Sequence, residues 1–521
     1  MPRIFARALA ASLSLAAVAA ARAQSTASAT ANPADAAPVA PAQIMTDATP
    51  AHSTIPLTLE ECVAQALAKN FGVQISNYSV DNAKQAVIIA QSVYDPTLGV
   101  VWQKQFVKQP TITNLTNTVG KGAKPIQDNQ STDATLTENV ITGGTVTAAY
   151  DLARNYTNSL QSLFNPAYNG LVSLNVTQPL LQGAGTAYAR ALIQIQKLGV
   201  AIANENFKST VLTTILNVET AYYNLVYARR FYAVAQGNVD LNTRLLSENT
   251  TKRQTGTLTD LDVVTAQASL ALAQSQLIAA RQQVENDEDI LLEAMGEREF
   301  RTAVGVVDFP PLPSTDVSFF VSYKLARDNG PNLAIAQNVI EQLKLDALRA
   351  KKANLPLLNI TGGAAWIDTQ HSYRSAEDNL WPGPGYNWNA GATFSIPIGM
   401  RASRAAYRQA KDNMMSEQVT YDQEDQQLIV QVRTDVRAVA ANLEALAATS
   451  QQATLSQKQY DLQAAKLQAG LSTSYDTLQA QTTLLQAQVS RIQAEVNLRL
   501  ALANLHFLEG TSLDTYHVNL K

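Results

Sequence analysis

The 521-residue chain has one cysteine and four histidines. One cysteine excludes an internal disulfide framework and a Cys-rich metal site. Four separate histidines leave little for a histidine-based metal centre. Charged residues are scarce at 16%, against roughly 25% in average soluble proteins. Net charge is −4, which argues against nucleic acid as a partner, because such binders present a basic surface. The nucleotide-loop pattern Gly-x4-Gly-Lys, the zinc-protease pattern His-Glu-x2-His and the hydrolase pattern Gly-x-Ser-x-Gly are all missing. Gly183-Ala-Gly185 lacks a third glycine and reads as a bend, and 285–289 (Glu-Asn-Asp-Glu-Asp) reads as a solvated helix face. No cofactor, no metal and no enzymatic chemistry is expected.

Long hydrophobic runs are also scarce, and mean hydropathy is −0.09. Arg3 and Arg7, the short apolar run Leu9 to Ala20, and Ala21-Arg22-Ala23 read as a signal peptide over 1–23, with Gln24 as the mature start. Residues 24–54, rich in Ala, Pro, Ser and Thr, read as a disordered linker. Cys62 lies in a helical pattern and reads as a small core residue. No later stretch reads as a membrane-crossing helix. An exported chain of this kind is secreted, periplasmic, or inserted through a closed β-barrel.

What is present is a duplication. Lys252-Arg-Gln-Thr-Gly256-Thr-Leu-Thr-Asp-Leu-Asp262-Val-Val-Thr-Ala266-Gln267 matches Lys466-Leu-Gln-Ala-Gly470-Leu-Ser-Thr-Ser-Tyr-Asp476-Thr-Leu-Gln-Ala480-Gln481. The two tracts stand 214 positions apart, as do Gly185 and Gly399, Arg190 and Arg404, and Gly296 and Gly510. A second spacing, of 260, joins Pro96 to Pro356 and Ile75 to Ile335. Each half therefore reads as helix, β segment, long helix, turn, helix.

Thr186 to about Arg253, and Ala402 to about Gln468, contain no proline. Each predicts a rod of roughly 100 Å. Leu428, Val432, Val436, Val439, Leu443 and Leu446 repeat at coiled-coil spacing. Shorter helices are predicted over 60–95 and 258–296, which stacked end to end would match one long rod. Strict alternation predicts half-buried strands at Val172, Leu174 and Val176, at Val146 to Leu152, at Ile360 to Trp366, and at Phe394 to Ile396. All four tryptophans fall in this β part. Trp102, Trp366, Trp381, Tyr386 and Trp388 read as an aromatic girdle at a lipid boundary.

Leu57-Thr-Leu-Glu-Glu-Cys-Val-Ala-Gln-Ala-Leu, Thr177-Gln-Pro-Leu-Leu, the two Gly-x5-Asp-x3-Ala-Gln tips and Ser395-Ile-Pro397-Ile-Gly399 resemble the TolC-like family of outer-membrane efflux channels, over about 57–510. The resemblance implies an α+β membrane protein. Long antiparallel helical hairpins would form a periplasmic α-barrel, joined to a transmembrane β-barrel to which each copy of a homotrimer gives four strands. It implies an outer-membrane location and passive conduction of drugs, small toxic molecules or proteins. It also implies a periplasmic adaptor and an inner-membrane pump of the RND or ABC type as partners, as in drug efflux or type I secretion. The tips Gly256, Thr257, Leu258, Gly470, Leu471 and Ser472 would dock the adaptor. Asp476, with Asp260 and Asp262, would line the periplasmic entrance. Asp476 matches the first acidic position of the family's gate, but Gln479 and Ser472 stand at its other positions, so the ionic latch is expected to be weaker or differently placed. A periplasmic coiled-coil adaptor or a structural envelope protein is the alternative reading; an adaptor would not need two proline-bounded β tracts.

The expected division is helices 55–96, strands and external loops 97–178 and a helical hairpin 179–296 in the first repeat. A connection 297–322 follows, then helix 323–356, strands 357–397 and hairpin 398–510 in the second repeat, and a tail 511–521. The first β region is twice as long as the second: 83 positions separate Pro96 from Pro179, and 41 separate Pro356 from Pro397. With loop-like composition at 107–130 and 153–170, the excess reads as either a large external hairpin or an added strand pair.

Overall fold

The computed structural model describes residues 57–110, 124–298, 304–305, 307–312, 315–378, 385–469 and 471–518. The expected leader and linker, Trp381 and Gly470 lie outside them. The first half runs α1 (Leu59–Lys69), α2 (Phe71–Gln91), a 3-10 turn, β1 (Thr97–Lys108), β2 (Ile126–Asn139), β3 (Thr145–Thr157), β4 (Ala167–Pro179), α3 (Thr186–Gln254) and α4 (Asp260–Ala294). The second runs α5 (Phe319–Asn329), α6 (Pro331–Ala353), β5 (Leu357–Gln370), the short α7 (Tyr373–Asp378), β6 (Gly385–Ser395), α8 (Arg401–Gln468), α9 (Ser474–Glu509) and α10 (Ser512–Thr515).

The long rods form as their proline-free tracts predict, with 69 residues in α3 and 68 in α8. Of the α8 seam, Val432 and Val439 are fully buried, while Leu443 stays exposed. The shorter helices differ from expectation. The helix expected over 60–95 is broken at Asn70, which adopts an extended backbone and caps α2 by accepting from the N–H groups of Gly72 (2.8 Å) and Val73 (3.3 Å). The helix expected over 323–356 starts earlier and is broken at Gly330-Pro331, because a residue before proline is pushed out of the α region. At the first break, the end of α4 meets the α1–α2 junction. Asn70 Nδ2 donates to the Ala294 carbonyl at 3.2 Å, and Lys69 pairs with Glu297 at 2.6 Å. Gly296 sits there at φ +72°, where a Cβ would lie 2.8 Å from the Lys69–Asn70 backbone, so only glycine fits.

Helix neighbours fall into two tiers. Next to the strands the order is α2–α3–α6–α8; beyond the breaks it is α4–α3–α9–α8. Each tier is thus four rods wide. The main core lies where the tiers meet. Cys62 and Val63 of α1, Leu212, Ile215 and Leu225 of α3, Leu291 of α4 and Met295 are buried together there. Burial pushes the Cys62 thiol up to about 12, leaving it inert. Within 285–289 the solvated face expected from the sequence holds for Glu285, Asn286 and Asp289, which are exposed, but not for the two residues between them. Asp287 is buried and accepts from Gln283 at 2.9 Å, and Glu288 pairs with Arg229 at 2.5 Å. A second correction concerns α4, which is by length and composition apolar enough to cross a membrane. Its scattered Gln and Ser hide that average from a search for unbroken runs. It lies along α3 instead.

The strands form one antiparallel meander, β1-β2-β3-β4-β5-β6. This corrects the four strands implied by the resemblance. The long first β region adds a strand pair, and β1–β4 reach into the tracts expected as loops. The period-2 signal of β2 is weak because Thr132 stands opposite Trp102 and Leu152, and Asp128 opposite Phe106 and Tyr156, where an apolar residue would continue the row.

Candidate pore wall and helical tips

Strand register sorts the side chains onto two faces, because cross-strand partners share a face. One face carries the row Leu98–Leu136–Ala148–Leu174–Ala364–Trp388, and above it Val100–Ala134–Tyr150–Val172–Trp366–Tyr386. The other carries Thr97–Thr137–Thr147–Asn175–Gly363–Asn389 and Gly99–Thr135–Ala149–Ser173–Ala365–Asn387. In these rows the first face is apolar and the second polar or small across all six strands. Trp102, Trp366, Tyr386 and Trp388 all lie on the apolar face.

The apolar face has a definite upper edge. Next above Trp102 and Leu152 on the same face come Lys104 and Arg154, both paired with Asp128, at 3.8 and 3.6 Å. Along β5 the band runs from Leu358 to Trp366 before reaching Asp368. Eight residue steps at a tilt of about 40° span about 20 Å, close to the roughly 25 Å apolar band of outer-membrane barrels.

At the far end of the rods, both hairpin turns are built alike. The Thr257 N–H donates to the Lys252 carbonyl (2.9 Å), and the Leu471 N–H to the Lys466 carbonyl (2.8 Å). These are the six-to-one bonds of a Schellman stop, and Gly256 supplies the left-handed residue at φ +75°. Both following helices open with a capping box. Thr259 Oγ1 donates to Asp262 Oδ2 (2.6 Å), and Thr473 Oγ1 to Asp476 Oδ2 (2.7 Å); each carboxylate also accepts its cap's backbone N–H. These threonine hydrogen bonds hold both carboxyls below the usual carboxylate range. Ser472 Oγ adds a bond to Asp476 (3.4 Å), and Asp260 pairs with Arg253. Leu261, Leu471 and Tyr475 stand exposed beside the turns.

The two turns lie side by side, because Asn249 joins them. It is buried near the end of α3, accepts from Ser474 Oγ of α9 (3.2 Å) and donates to the Asp262 carbonyl of α4 (3.4 Å). Further back, Gln481 Nε2 donates to Asn238 (2.7 Å). Asn249→Ala should leave the buried Ser474 hydroxyl without its acceptor, at a cost of about 1–2 kcal/mol. The expected readout is faster tryptic cleavage at Lys252 and Arg253; unchanged cleavage would show that Asn249 does not hold the tips.

The profile of a family described as "Outer membrane efflux protein" matches residues 62–297 and 322–511. The chain belongs to the outer membrane efflux protein family. Outer membrane protein TolC of Escherichia coli (strain K12) is 26% identical over 322 residues, 60% of this chain and 63% of TolC. The match therefore spans less than two thirds of that relative. Outer membrane efflux protein BepC of Brucella suis is 23% identical over 399 residues, 74% of this chain and 82% of BepC. A solved membrane protein from Pseudomonas aeruginosa superposes with a TM-score of 0.67 at 15% identity, covering 88% of this chain and 91% of the other; it shares the fold.

Membership puts this efflux protein in the outer membrane and sets the adaptor alternative aside. The structure brings the tip residues Thr257, Leu258, Leu471 and Ser472 to one end with Asp260, Asp262 and Asp476. In the single chain, Asp262 and Asp476 are helix caps. Asn249 carries no signal of its own in the sequence, and Gln481 stands out only as the end of the repeated tip pattern, not for its bond to Asn238. An isolated asparagine in a polar helix gives no local signal of burial, although the 214-residue spacing pairs Asn249 with Gln463, which also bonds its own tip at Ser472 (2.7 Å).

Proposed function

We propose that this efflux protein is the passive outer-membrane duct of a three-component export machine. Three copies share a transmembrane β-barrel, and their helices continue it as a periplasmic tunnel. The carrying observation is the six-strand sheet, apolar on one face and polar on the other, with both edge strands open. One sheet edge continues into α2 and the other into α8, so the same two sides are open in the sheet and in the helical tier joined to it. Ile75, Tyr78 and Ile89 on α2, and Val419 and Val430 on α8, are exposed on those helices and would be covered by neighbouring copies. The two halves descend from a duplicated unit. In support, α4 and α9 have 35 and 36 residues, and Gly185 and Gly399 share a positive φ.

The tips meet the adaptor through Leu471 and the Gly256–Leu258 turn, and Asp476, Asp260 and Asp262 ring the entrance. A pump elsewhere supplies energy and selects the substrate; no residue of this chain performs chemistry. Purified protein added to planar lipid bilayers should give discrete conductance steps, and the protein should fractionate with the outer membrane. Absence of conductance, with the protein released by washing, would contradict the duct. In the same bilayers, block by divalent cations should weaken in Asp476→Asn. Unchanged block with lower thermal stability would leave Asp476 as a cap alone.

A further inference from the structure

The strand count has a consequence for the width of the exit. Six strands about 4.8 Å apart and tilted by about 40° occupy an arc of about 38 Å. Four strands, as the resemblance implied, would occupy about 25 Å. The helical tier joined to the sheet is four rods wide, α2–α3–α6–α8. At 8–10 Å between axes, four rods occupy about 32–40 Å. Six strands therefore match four rods copy for copy, with no taper between tiers, whereas four strands would force the wall to narrow by about a third.

The open edges fit the same closure. β1 and β6 have 12 and 11 residues, and both are largely exposed on both faces. In a six-strand meander the first and last strands run antiparallel, so β6 of one copy can pair with β1 of the next in the sense used throughout the sheet. Leu98, Val100 and Trp102 at one edge lie on the same apolar face as Trp388, Tyr386 and Phe394 at the other. The seam thus keeps lipid-facing and water-facing sides continuous. An unpaired edge cannot remain in lipid, where no water satisfies its N–H and C=O groups.

We propose that three copies pair β6 to β1 in a ring and close an 18-stranded barrel, about 35 Å across between backbones, as wide as the helical tunnel below it. The proposal rests on the trimeric reading above. Its functional content is that the outer-membrane exit is not a constriction. A solute or unfolded chain that passes from the tunnel into the barrel meets no narrower backbone ring there.

Electron cryomicroscopy of the full mature protein in lipid nanodiscs counts the strands directly; 18 are expected around a threefold axis. In parallel, Val101→Cys in β1 is combined with Asn387→Cys or Asn389→Cys in β6. Oxidation should convert monomers to covalent trimers in at least one pair, with Cys62 buried and silent. Twelve strands with the β2–β3 hairpin outside the wall would overturn the wide barrel and leave the tunnel standing. Crosslinks confined to single chains would overturn the shared barrel as well as its width. A particle with no closed membrane barrel would remove both readings.

Discussion

Arginine in place of Leu174 is expected to abolish the membrane-inserted oligomer, while arginine in place of its neighbour Ser173 leaves it assembled. The two residues are adjacent in β4 but point to opposite faces. Leu174 lies in the row that begins with Leu98 and ends with Trp388, within the apolar band. A charge there must enter hydrocarbon, at roughly 2–4 kcal/mol per copy near the midplane. In the proposed trimer that cost would be incurred three times. Ser173 lies in the polar row with Thr135 and Asn387, where an arginine reaches water. The check is the yield of heat-modifiable oligomer in outer-membrane fractions. Equal yields would mean that the faces do not separate lipid from water.

Stability should fall as pH rises from 5 to 8, and Glu219→Gln should remove much of that fall. Glu219 is buried in α3 beside a cavity of about 590 Å³. Tyr516 Oη donates to its Oε1 at 2.7 Å, while Oε2 has no hydrogen-bond partner among the described residues. Burial pushes its carboxyl up to about 7, against an opposing effect of the Tyr516 bond. The folded value lies above the unfolded one, so the fold favours the protonated acid. Its contribution is complete below about 4.5 and lost as pH rises through 7. The loss is on the order of 3 kcal/mol. The substituted amide would keep an acceptor for Tyr516 and carry no charge. Thermal midpoints at the two pH values should converge in the variant; equal pH slopes in both proteins would show that Glu219 ionises freely.

Much of the architecture is legible because the long rods and the strands announce themselves by period. Thr186–Gln254 holds no proline, and Val172, Leu174 and Val176 alternate without interruption. The tips are legible because the same glycine, threonine and aspartate pattern occurs twice. Breaks were harder. Asn70 stops a helix through its own side chain, which an unbroken apolar period hides, although Gly330-Pro331 carried an explicit stop signal. The β2 strand was obscured where its apolar-face positions hold Thr132 and Asp128. Asp287 and Asn249 are polar residues buried by neighbours distant in sequence, and no local pattern reports that.

Cysteine accessibility across one sheet tests the central claim, that this sheet separates lipid from a water-filled bore, more directly than any other measurement. Single cysteines at Thr147, Ser173 and Asn389 are compared with single cysteines at Ala148, Leu174 and Trp388 in the reconstituted protein. A charged, water-soluble thiol reagent should modify the first three and spare the second three, which should react only with a lipid-soluble reagent. Equal modification of both sets by the charged reagent would contradict the account.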